Sequence, residues 1–352
     1  MREGRAELEI TSEKRSIHPS IHPFEGNTTV NLALTIYDPD GTYARHAGVV
    51  IASVLQNTSA HVFFHVLHDE TLTECNKIKL EETCAANSPS ARADIRFIDI
   101  SNHFNRCLTP DIDDACLRFT RGSLYRLCMH EMLTDIRKVL YLDCDVVVTL
   151  DISELWHEFA EDDEHSVCGV CWEKVHSLPD ITIPKSDIKT DSRGLNYERY
   201  INSGVLVVNL DNMRSKYGKD LTMAKNAIAY IKRYSPKTPD QDFINAEFIG
   251  DILYVDRKYN FAPDRVYDDL FSLRRIWHFY LKGKPWQMVT VSNADMLYWH
   301  YLLFTPWKEE IVESFYKAAV NDRYYHRHSC DCIRRLWRQF TDNIRNIKKI
   351  TK

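Results

Sequence analysis

The sequence predicts one large α/β domain, with or without appendages, built on a mostly parallel β-sheet. Strand-like apolar runs alternate with helix-like segments, a pattern typical of right-handed crossovers between parallel strands. Residues 138–148 form a continuous run of branched and aromatic residues edged by charge, which is typical of a sheet strand buried on both faces. The chain has 352 residues, of which 44% are hydrophobic, and this is enough to bury a sizeable core.

The alternation of strands and helices begins after a polar lead-in at residues 1–28, which we expect to be loosely ordered. A turn at residues 38–42 separates the first predicted strand from the first helix. The predicted elements are, in order, a strand at 30–37, a helix at 43–57, a strand at 61–67, a helix at 71–87, a strand at 96–100, a helix at 124–134, strands at 138–148, 167–172 and 204–209, a helix at 220–234 and a short strand at 253–256. The sequence has no internal repeat and no glycine-rich phosphate loop, so a nucleotide would be held through a metal ion and side chains.

Two carboxylates, Asp143 and Asp145, lie within the long apolar run. At positions i and i+2 of a strand, both would project from the same side and reach one cation. Mg²⁺ and Mn²⁺ prefer such oxygen ligands, and either ion would neutralise a diphosphate. Carboxylates beside core residues are costly unless a positive group satisfies them, which favours a metal site over a solvated turn. The same Asp-x-Asp spacing occurs, without apolar flanks, at Asp38/Asp40, Asp111/Asp113 and Asp240/Asp242.

Charge is distributed unevenly along the chain. The net charge of -5 argues against a general nucleic-acid-binding protein. Residues 321–352 carry nine Lys and Arg against three Asp and Glu, so this end has a net charge of +6 and the remainder -11. Its last part predicts a basic amphipathic helix that either packs on the domain or, as we favour, lies on an anionic membrane surface. The apolar stripe is Ile333, Leu336, Trp337, Phe340, Ile344 and Ile347, and the basic residues are Arg334, Arg335, Arg338, Arg345, Lys348 and Lys349.

The ten cysteines lie within apolar segments, which indicates free thiols and a reducing compartment. The pair Cys168-x-x-Cys171 has the spacing of a zinc or redox site, but its flanks are strand-like and we expect neither role. Residues 1–30 contain no apolar segment typical of a signal peptide, and no run approaches the roughly 20 apolar residues of a membrane span. We therefore expect a cytoplasmic protein that is soluble or attached to a membrane surface.

Seven short segments carry a family resemblance when they are taken together and in order. They are Asp38 with Tyr43, Leu124-Tyr-Arg-Leu127, Val139-Leu-Tyr-Leu-Asp-Cys-Asp145, Tyr200-Ile-Asn-Ser-Gly-Val-Leu-Val-Val-Asn209, Pro239-Asp-Gln-Asp-Phe-Ile-Asn245, Tyr259-Asn-Phe261 and His278-Phe-Tyr-Leu-Lys-Gly-Lys-Pro-Trp286. Over about residues 30–310 the chain resembles the family 8 glycosyltransferases, which are retaining hexosyltransferases with a GT-A fold. Within that family it is most similar to bacterial enzymes that add glucose or galactose to the lipopolysaccharide core.

The resemblance implies a GT-A domain at residues 29–310, with a Rossmann-like central sheet flanked by helices, and a helical basic tail at 311–352. It implies transfer of glucose or galactose from UDP-glucose or UDP-galactose, with Mn²⁺ or Mg²⁺, to a lipid-linked glycan of the lipopolysaccharide outer core at the inner face of the cytoplasmic membrane. One rival is transfer to a protein, including self-glycosylation on Tyr. Another is a non-catalytic sugar-nucleotide-binding or membrane-scaffold protein, which has no need for a set of metal ligands.

The resemblance assigns the metal and diphosphate contacts. Asp143 and Asp145 would bind the cation and His278 would be the third protein ligand. Lys284 would be a point charge for the diphosphate rather than an ordinary surface lysine. The family usually has Gly three residues after the metal His, where this chain has Leu281, and Gly283 follows two residues later. Either this closing loop is shifted in register, or its diphosphate contacts differ.

The resemblance also assigns donor contacts. Asp38 would hydrogen-bond the uracil and Tyr43 would stack near it, although extra residues in the turn leave Asp40 as an alternative, and an ordinary Asp-Pro turn is a third possibility. Arg126, on the helix before the metal strand, and Asn202, in Ile-Asn-Ser-Gly, would contact the donor sugar.

The second acidic cluster would lie at the reacting carbon. By resemblance Asp240 holds sugar hydroxyls and Gln241 lies beneath the anomeric carbon, whereas Pro239 makes an exposed turn the alternative. Because Gln is a poor nucleophile, a front-face substitution assisted by the leaving phosphate is favoured, with Asp242 as the second candidate nucleophile. Glu173 falls where the family often has an acidic residue near the sugar or acceptor.

Overall fold

The computed structural model of the chain describes residues 28–88, 92–106, 121–171, 188–280, 283–287 and 292–313. Most of the predicted lead-in, Glu173, Leu281 and the predicted tail from residue 314 onward lie outside the described residues. The expectations for these parts of the chain therefore stay predictions.

Nine strands form the sheets of the described chain. They are β1 (Thr29–Ile36), β2 (His61–His68), β3 (Ala93–Asp99), β4 (Lys138–Leu142), β5 (Val146–Val148), β6 (Val167–Cys171), β7 (Ile201–Asn209), β8 (Ile252–Tyr254) and β9 (Ile276–His278). Seven of them make the central sheet, in the order β3-β2-β1-β4-β7-β6-β8. The strands β3, β2, β1 and β4 are parallel, β6 and β8 are parallel, and β7 runs antiparallel to both of its neighbours. The predicted mostly parallel α/β sheet is thus confirmed.

Helices cover both faces of the sheet. They are α1 (Ala44–Asn57), α2 (Glu74–Asn87), α3 (Ser101–Asn105), α4 (Gly122–Tyr125), α5 (Met129–Met132), α6 (Ser153–Ala160), α7 (Leu210–Tyr217), α8 (Thr222–Tyr234), α9 (Pro239–Glu247) and α10 (Asp295–Leu302), with 3₁₀ turns at Arg126–Cys128, Tyr197–Arg199, Arg257–Tyr259, Leu270–Ser272 and Pro306–Glu310. The helix predicted at 124–134 is therefore three short pieces. Arg126 Nε donates to the Ser123 carbonyl within this segment (2.9 Å), and such a bond competes with a regular helical ladder.

The core divides into two layers, one on each face of the sheet. Along β4, Leu140 and Leu142 pack into the cluster that contains α1 and α10, whereas Val139 and Tyr141 pack into the cluster around α7 and α8. Successive side chains of a strand point to opposite faces. The continuous apolar pattern of β4 is therefore explained by burial on both sides.

The apolar run 138–148 is not a single strand, so that prediction is wrong. β4 ends at Leu142, the residues Asp143-Cys144-Asp145 form a turn, and β5 then pairs antiparallel with β9 in a separate two-stranded sheet. The chain bends here because β4 belongs to the central sheet while β5 has its partner elsewhere. A turn, rather than the pleat of a strand, brings the two carboxylates together, and the pairing of Val146 with His278 adds the histidine.

Two further expectations concern the membrane and the thiols. Within the described ranges, no helix is both long and apolar enough to cross a bilayer. Cys75, Cys84, Cys144 and Cys168 are free thiols, as predicted, and Cys168 belongs to the Cys-x-x-Cys pair. Burial raises the pKa of the Cys168 thiol well above its ordinary value, so this thiol is a core residue and not a reactive one.

Candidate active site

A cavity of about 660 Å³ lies where the carboxyl ends of β1 and β4 meet the amino end of β7. Parallel sheets bind their ligands at such an edge. Nine of the residues predicted for the site line this cavity: Tyr43, Arg126, Asp143, Asp145, Asn202, Asp240, Gln241, His278 and Lys284. Two other predicted residues, Asp38 and Asp242, are not among the lining residues that the structure describes.

Asp143, Asp145 and His278 form the group that can hold a metal ion. One ligand atom from each lies within 4.8 Å of the others. His278 Nε2 is 3.0 Å from Asp145 Oδ1 and 3.8 Å from Asp143 Oδ2. Within the described part of the chain, Asp145 Oδ1 is buried without a hydrogen-bond partner. A buried carboxylate oxygen in this state is costly, and two carboxylates with an imidazole fit a divalent cation.

Hydrogen bonds to other residues occupy one oxygen of Asp143 and one of Asp145, and they leave the other oxygen of each on the side of His278. Asp143 Oδ1 accepts hydrogen bonds from Tyr141 Oη (2.6 Å) and Arg126 Nη2 (2.8 Å), so Oδ2 is the oxygen nearer to His278. Asp145 Oδ2 accepts from Lys284 Nζ, which leaves Oδ1. Burial would raise the pKa of Asp145, but Lys284 and His278 lower it below its ordinary value. Both carboxylates are therefore oriented before any ligand arrives.

Gly204 of β7 makes room for the metal group. A Cβ atom built on it would lie 2.1 Å from His278 Cε1 and 2.6 Å from Asp143 Oδ2. The Gly204 carbonyl also accepts from the Asp143 N–H at 2.8 Å, so the two backbones cannot move apart without breaking this bond. Only glycine fits this position.

We expect Gly204→Ala to abolish the metal site while the protein still folds. The added methyl displaces His278 or Asp143, and a displacement of about 1 Å costs on the order of 100-fold in a preorganised site. Overpacking adds about 1–3 kcal/mol of destabilisation. Mn²⁺ titration and thermal unfolding measure the two effects separately. Gly218→Ala is the control, since φ is +64° there and the added methyl meets open space, so stability should fall with Mn²⁺ affinity unchanged.

Gln241 lies at the start of α9, where Pro239 occupies the first turn of the helix. Asp240, Gln241 and Asp242 are all buried, which excludes the exposed turn that Pro239 left open. Gln241 Oε1 accepts from the Ser203 N–H (3.1 Å) and from Asn202 Nδ2 (3.0 Å), and Gln241 Nε2 donates to Tyr200 Oη (3.1 Å). Both lone pairs of the amide oxygen are therefore in use.

Arg126 lies between two carboxylates at the same wall of the cavity. Besides Asp143, it approaches Asp240 Oδ2 with its Nε at 3.5 Å and donates to the Ser203 carbonyl at 2.6 Å. Burial opposes the charge on the guanidinium, yet Asp143, Tyr141 and Asp240 together raise the pKa of Arg126 above its ordinary value. Burial also raises the pKa of Asp240, with Arg126 opposing it. The arginine is a fixed positive charge that holds both acids in place.

The carboxylate of Asp242 is held by other groups of the protein. Its Oδ1 accepts hydrogen bonds from Tyr200 Oη and from Thr238 Oγ1 (2.6 Å), and Arg193 Nη1 lies 3.8 Å from its Oδ2. Among the described residues, Gln241 lines the cavity and Asp242 does not, and the catalytic role of either residue stays a prediction.

Asp38 is 1% exposed, and its carboxylate accepts hydrogen bonds from other groups of the protein. Its carboxylate accepts from the Tyr43 N–H (2.5 Å) and from Asn76 Nδ2 (2.9 Å). Burial raises the pKa of Asp38, and these two hydrogen bonds oppose that change. In this structure Asp38 shapes the turn that brings Tyr43 into the cavity, as in the turn alternative, while Asp40 is exposed. A contact of either acid with uracil stays a prediction.

An aromatic wall of the cavity was not predicted as part of the site. His46 stacks on Trp286 with ring centroids 3.7 Å apart, and His46 Nδ1 lies 2.7 Å from Tyr298 Oη. This wall holds the segment 283–287, and with it Lys284, against the metal group. Tyr43, the residue before α1, and His46, in its first turn, are three residues apart, and this spacing is the sequence signal for one shared face.

Comparison with known sequences supports the family resemblance that the sequence motifs carry. A sequence model of the family "Glycosyl transferase family 8" matches residues 34–290. General stress protein A of Bacillus subtilis (strain 168) is 24% identical over 297 residues, covering 76% of this chain and 92% of that protein. Lipopolysaccharide 1,2-glucosyltransferase of Escherichia coli (strain K12) is 24% identical over 290 residues, covering 78% of each chain.

Solved structures share the fold. The galactosyltransferase LgtC, crystallised with donor and acceptor sugar analogs, superposes with a TM-score of 0.58 at 23% identity, over 80% of this chain and all of that one. The bifunctional glycosyltransferase WbbM superposes with a TM-score of 0.61 at 18% identity, over 84% of this chain and 53% of that one. These likenesses agree with the GT-A fold that the resemblance implied. The family model matches well over half of the length of this chain, and the chain therefore belongs to glycosyl transferase family 8.

Proposed function

We propose that this chain is a metal-dependent, retaining hexosyltransferase that moves glucose or galactose from a UDP-sugar to a glycan acceptor. The observation that carries the proposal is the group Asp143, Asp145 and His278, with its buried unpaired Asp145 oxygen, at the wall of a cavity that also contains Gln241. Family membership supports a transferase, and the names of two relatives support hexose transfer.

Asp143, Asp145 and His278 would hold Mn²⁺ or Mg²⁺, and the bound ion would neutralise the charge that grows on the leaving diphosphate. Lys284 contributes a second positive charge beside the same position, because its ammonium group bonds Asp145 and the Phe279 carbonyl (2.5 Å). We expect this ammonium group to exchange part of these contacts for diphosphate oxygens when the donor binds.

The donor would extend along the cavity from Tyr43 to α9. Tyr43 offers its ring to the uracil, with Asp38 or Asp40 as the polar partner. At the other end, Asn202 and Asp240 present polar groups to the hexose, and Arg126 fixes Asp240. Glu173, outside the described residues, is proposed near the sugar or the acceptor.

The hydrogen bonds around Gln241 support a front-face substitution. The acceptor hydroxyl oxygen would bond to the anomeric carbon on the face from which the diphosphate departs, and its proton would pass to the leaving phosphate oxygen. A covalent route through Gln241 would require its oxygen to give up the bonds from Ser203 and Asn202. Asp242 is not among the described residues that line the cavity, so a covalent route through it would require its carboxylate to move away from Tyr200 and Thr238. Both covalent routes cost these buried hydrogen bonds, whereas the front-face route does not require them to break.

The acceptor we propose is a lipid-linked glycan such as the lipopolysaccharide outer core, reached at the inner face of the cytoplasmic membrane. The Escherichia coli relative is named as a lipopolysaccharide glucosyltransferase, and the basic tail of this chain suits an anionic surface. Transfer to a protein acceptor, including self-glycosylation, predicts instead a gain of hexose mass without added glycan.

The test is release of UDP from a panel of UDP-sugars by the purified protein, with Mn²⁺ and with EDTA. We expect Mn²⁺-dependent release from UDP-glucose or UDP-galactose and none with EDTA. Equal release with EDTA would overturn the metal dependence. No release from any donor, even with lipopolysaccharide acceptors present, would favour a scaffold protein.

Truncation after Asn321 tests the membrane part of the proposal. We expect the truncated chain to lose binding to vesicles rich in anionic lipid, with the largest difference at low salt, because the tail carries a net charge of +6. Transfer to a short soluble acceptor should persist. The controls are neutral vesicles and a full-length chain in which Gln replaces Arg334, Arg335 and Arg338. Equal binding of both chain lengths to anionic vesicles would exclude the tail as the anchor.

A further inference from the structure

The orientation of His278 is set by a neighbour to which no role has been assigned. His278 is 1% exposed, and its Nδ1 lies 2.9 Å from Asn260 Oδ1. A histidine binds a metal through a nitrogen that carries a lone pair, so the proton must lie on the other nitrogen. Whether Asn260 presents its oxygen or its NH₂ group to the ring therefore decides whether His278 Nε2 is able to bind an ion.

Backbone N–H groups of β7 fix the direction of these hydrogen bonds. The Gly204 N–H is only a donor, and it lies 3.0 Å from Asn202, so that atom of Asn202 is the oxygen. Asn260 donates its NH₂ group to the same oxygen at 2.9 Å. The other end of the Asn260 amide is therefore its oxygen, which must accept from His278 Nδ1–H. In the neutral imidazole, which is the form that binds a metal, the lone pair is then on Nε2, which faces Asp143 and Asp145.

The same series of hydrogen bonds continues from Asn202 to Gln241. Asn202 Nδ2 donates to Gln241 Oε1 at 3.0 Å, and the Ser203 N–H donates to that oxygen at 3.1 Å. Asn202 is 8% exposed and Asn260 is 6% exposed, so little water competes for these groups. Asn202 thus joins the metal histidine, through Asn260, to the amide beneath the proposed reaction centre.

We propose that Asn260 is a positioning residue with two separable tasks. Its oxygen holds His278 in the tautomer that binds a metal through Nε2, and its NH₂ group fixes Asn202 and, through it, Gln241. This inference rests on the proposed metal-dependent transfer. It adds Asn260 as a residue that acts through the metal ligand His278 and through the side-chain amides of Asn202 and Gln241.

Two substitutions separate the two tasks. Asn260→Ala removes both, and we expect Mn²⁺ affinity, measured without nucleotide by electron paramagnetic resonance of free Mn²⁺, to fall about 10–100-fold. Asn260→Asp keeps an acceptor for His278 Nδ1–H but turns a carboxylate oxygen toward Asn202 Oδ1. We expect Asn260→Asp to bind Mn²⁺ within about threefold of the unmodified chain or more tightly, while kcat for transfer falls about tenfold or more.

Asn87→Ala is the matched control. Asn87 is also a buried asparagine (8% exposed) and donates to the carbonyls of Thr83 and Phe304, away from the cavity. We expect its substitution to leave both Mn²⁺ affinity and kcat unchanged.

The outcomes distinguish this inference from the proposed function. If the unmodified chain does not bind Mn²⁺, the metal-dependent function itself fails. If the unmodified chain binds Mn²⁺ and Asn260→Ala binds equally well, only the role of Asn260 fails. Equal losses of affinity in the Ala and Asp variants, or in Asn260→Ala and Asn87→Ala, would show a general structural effect and overturn the proposal.

Discussion

Asp145→Asn is expected to lower sugar transfer at least about 100-fold and to leave the fold intact. The substitution removes one charged metal ligand without changing the volume of the side chain. Without metal, its stability should be close to that of the unmodified chain, because the loss of the Lys284 ion pair is offset by relief of a buried, partly unsatisfied carboxylate.

The effect of Mn²⁺ on thermal unfolding gives a second measurement. A ligand that binds only the folded state raises the midpoint in proportion to the logarithm of its concentration. The unmodified chain should show this rise and Asp145→Asn should not, whereas Asp40→Asn, at an exposed acid of another Asp-x-Asp pair, should behave like the unmodified chain. Unfolding of Asp145→Asn at ordinary temperature in EDTA would instead make Asp145 a structural residue.

The fold was predictable from the sequence because apolar periodicity reports burial. Each central strand and each long helix of the first half stands close to its predicted position, and the continuous apolar character of β4 matches burial on both faces. The break between β4 and β5 was not predictable, because both segments consist mostly of apolar residues that favour strands. Only the pairing of β5 with β9, far along the chain, separates them.

The site was predictable in its membership more than in its contacts. The resemblance supplied His278, which no local pattern joins to Asp143, and the structure brings the two together through the pairing of β5 with β9. The partners of each residue were not predictable. A carboxylate such as Asp38 can face a ligand or its own backbone, and residue type does not distinguish these. Asn260 lies in Tyr259-Asn-Phe261, one of the segments that carry the resemblance, yet its proposed role depends on the direction of hydrogen bonds that only coordinates reveal.

Arg126 has contacts that neither residue type nor the resemblance predicted, while its contact with the donor sugar stays a prediction. A helical arginine ordinarily faces water, and the resemblance assigned this one to the donor sugar. The structure buries it between Asp143 and Asp240, with its side chain 5% exposed. Of the charged groups described above, the cavity holds three carboxylates against the cations Arg126 and Lys284, so removal of the arginine leaves acids in the core without compensation.

We therefore expect Arg126→Met to destabilise the metal-free protein by about 3–5 kcal/mol, measured by denaturant unfolding in EDTA. Methionine retains most of the buried aliphatic part of the arginine side chain. The lost unfolding free energy therefore measures the contribution of the charge and its hydrogen bonds. If the unpaired acids cause the loss, the double variant Arg126→Met with Asp240→Asn should be more stable than the single one, and Mn²⁺ should restore part of the stability through Asp143. A double variant as unstable as Arg126→Met would place the loss in the bonds to the Ser123 and Ser203 carbonyls instead. The first result would establish that this arginine holds the acidic half of the site together before any sugar binds, and the second would exclude that role.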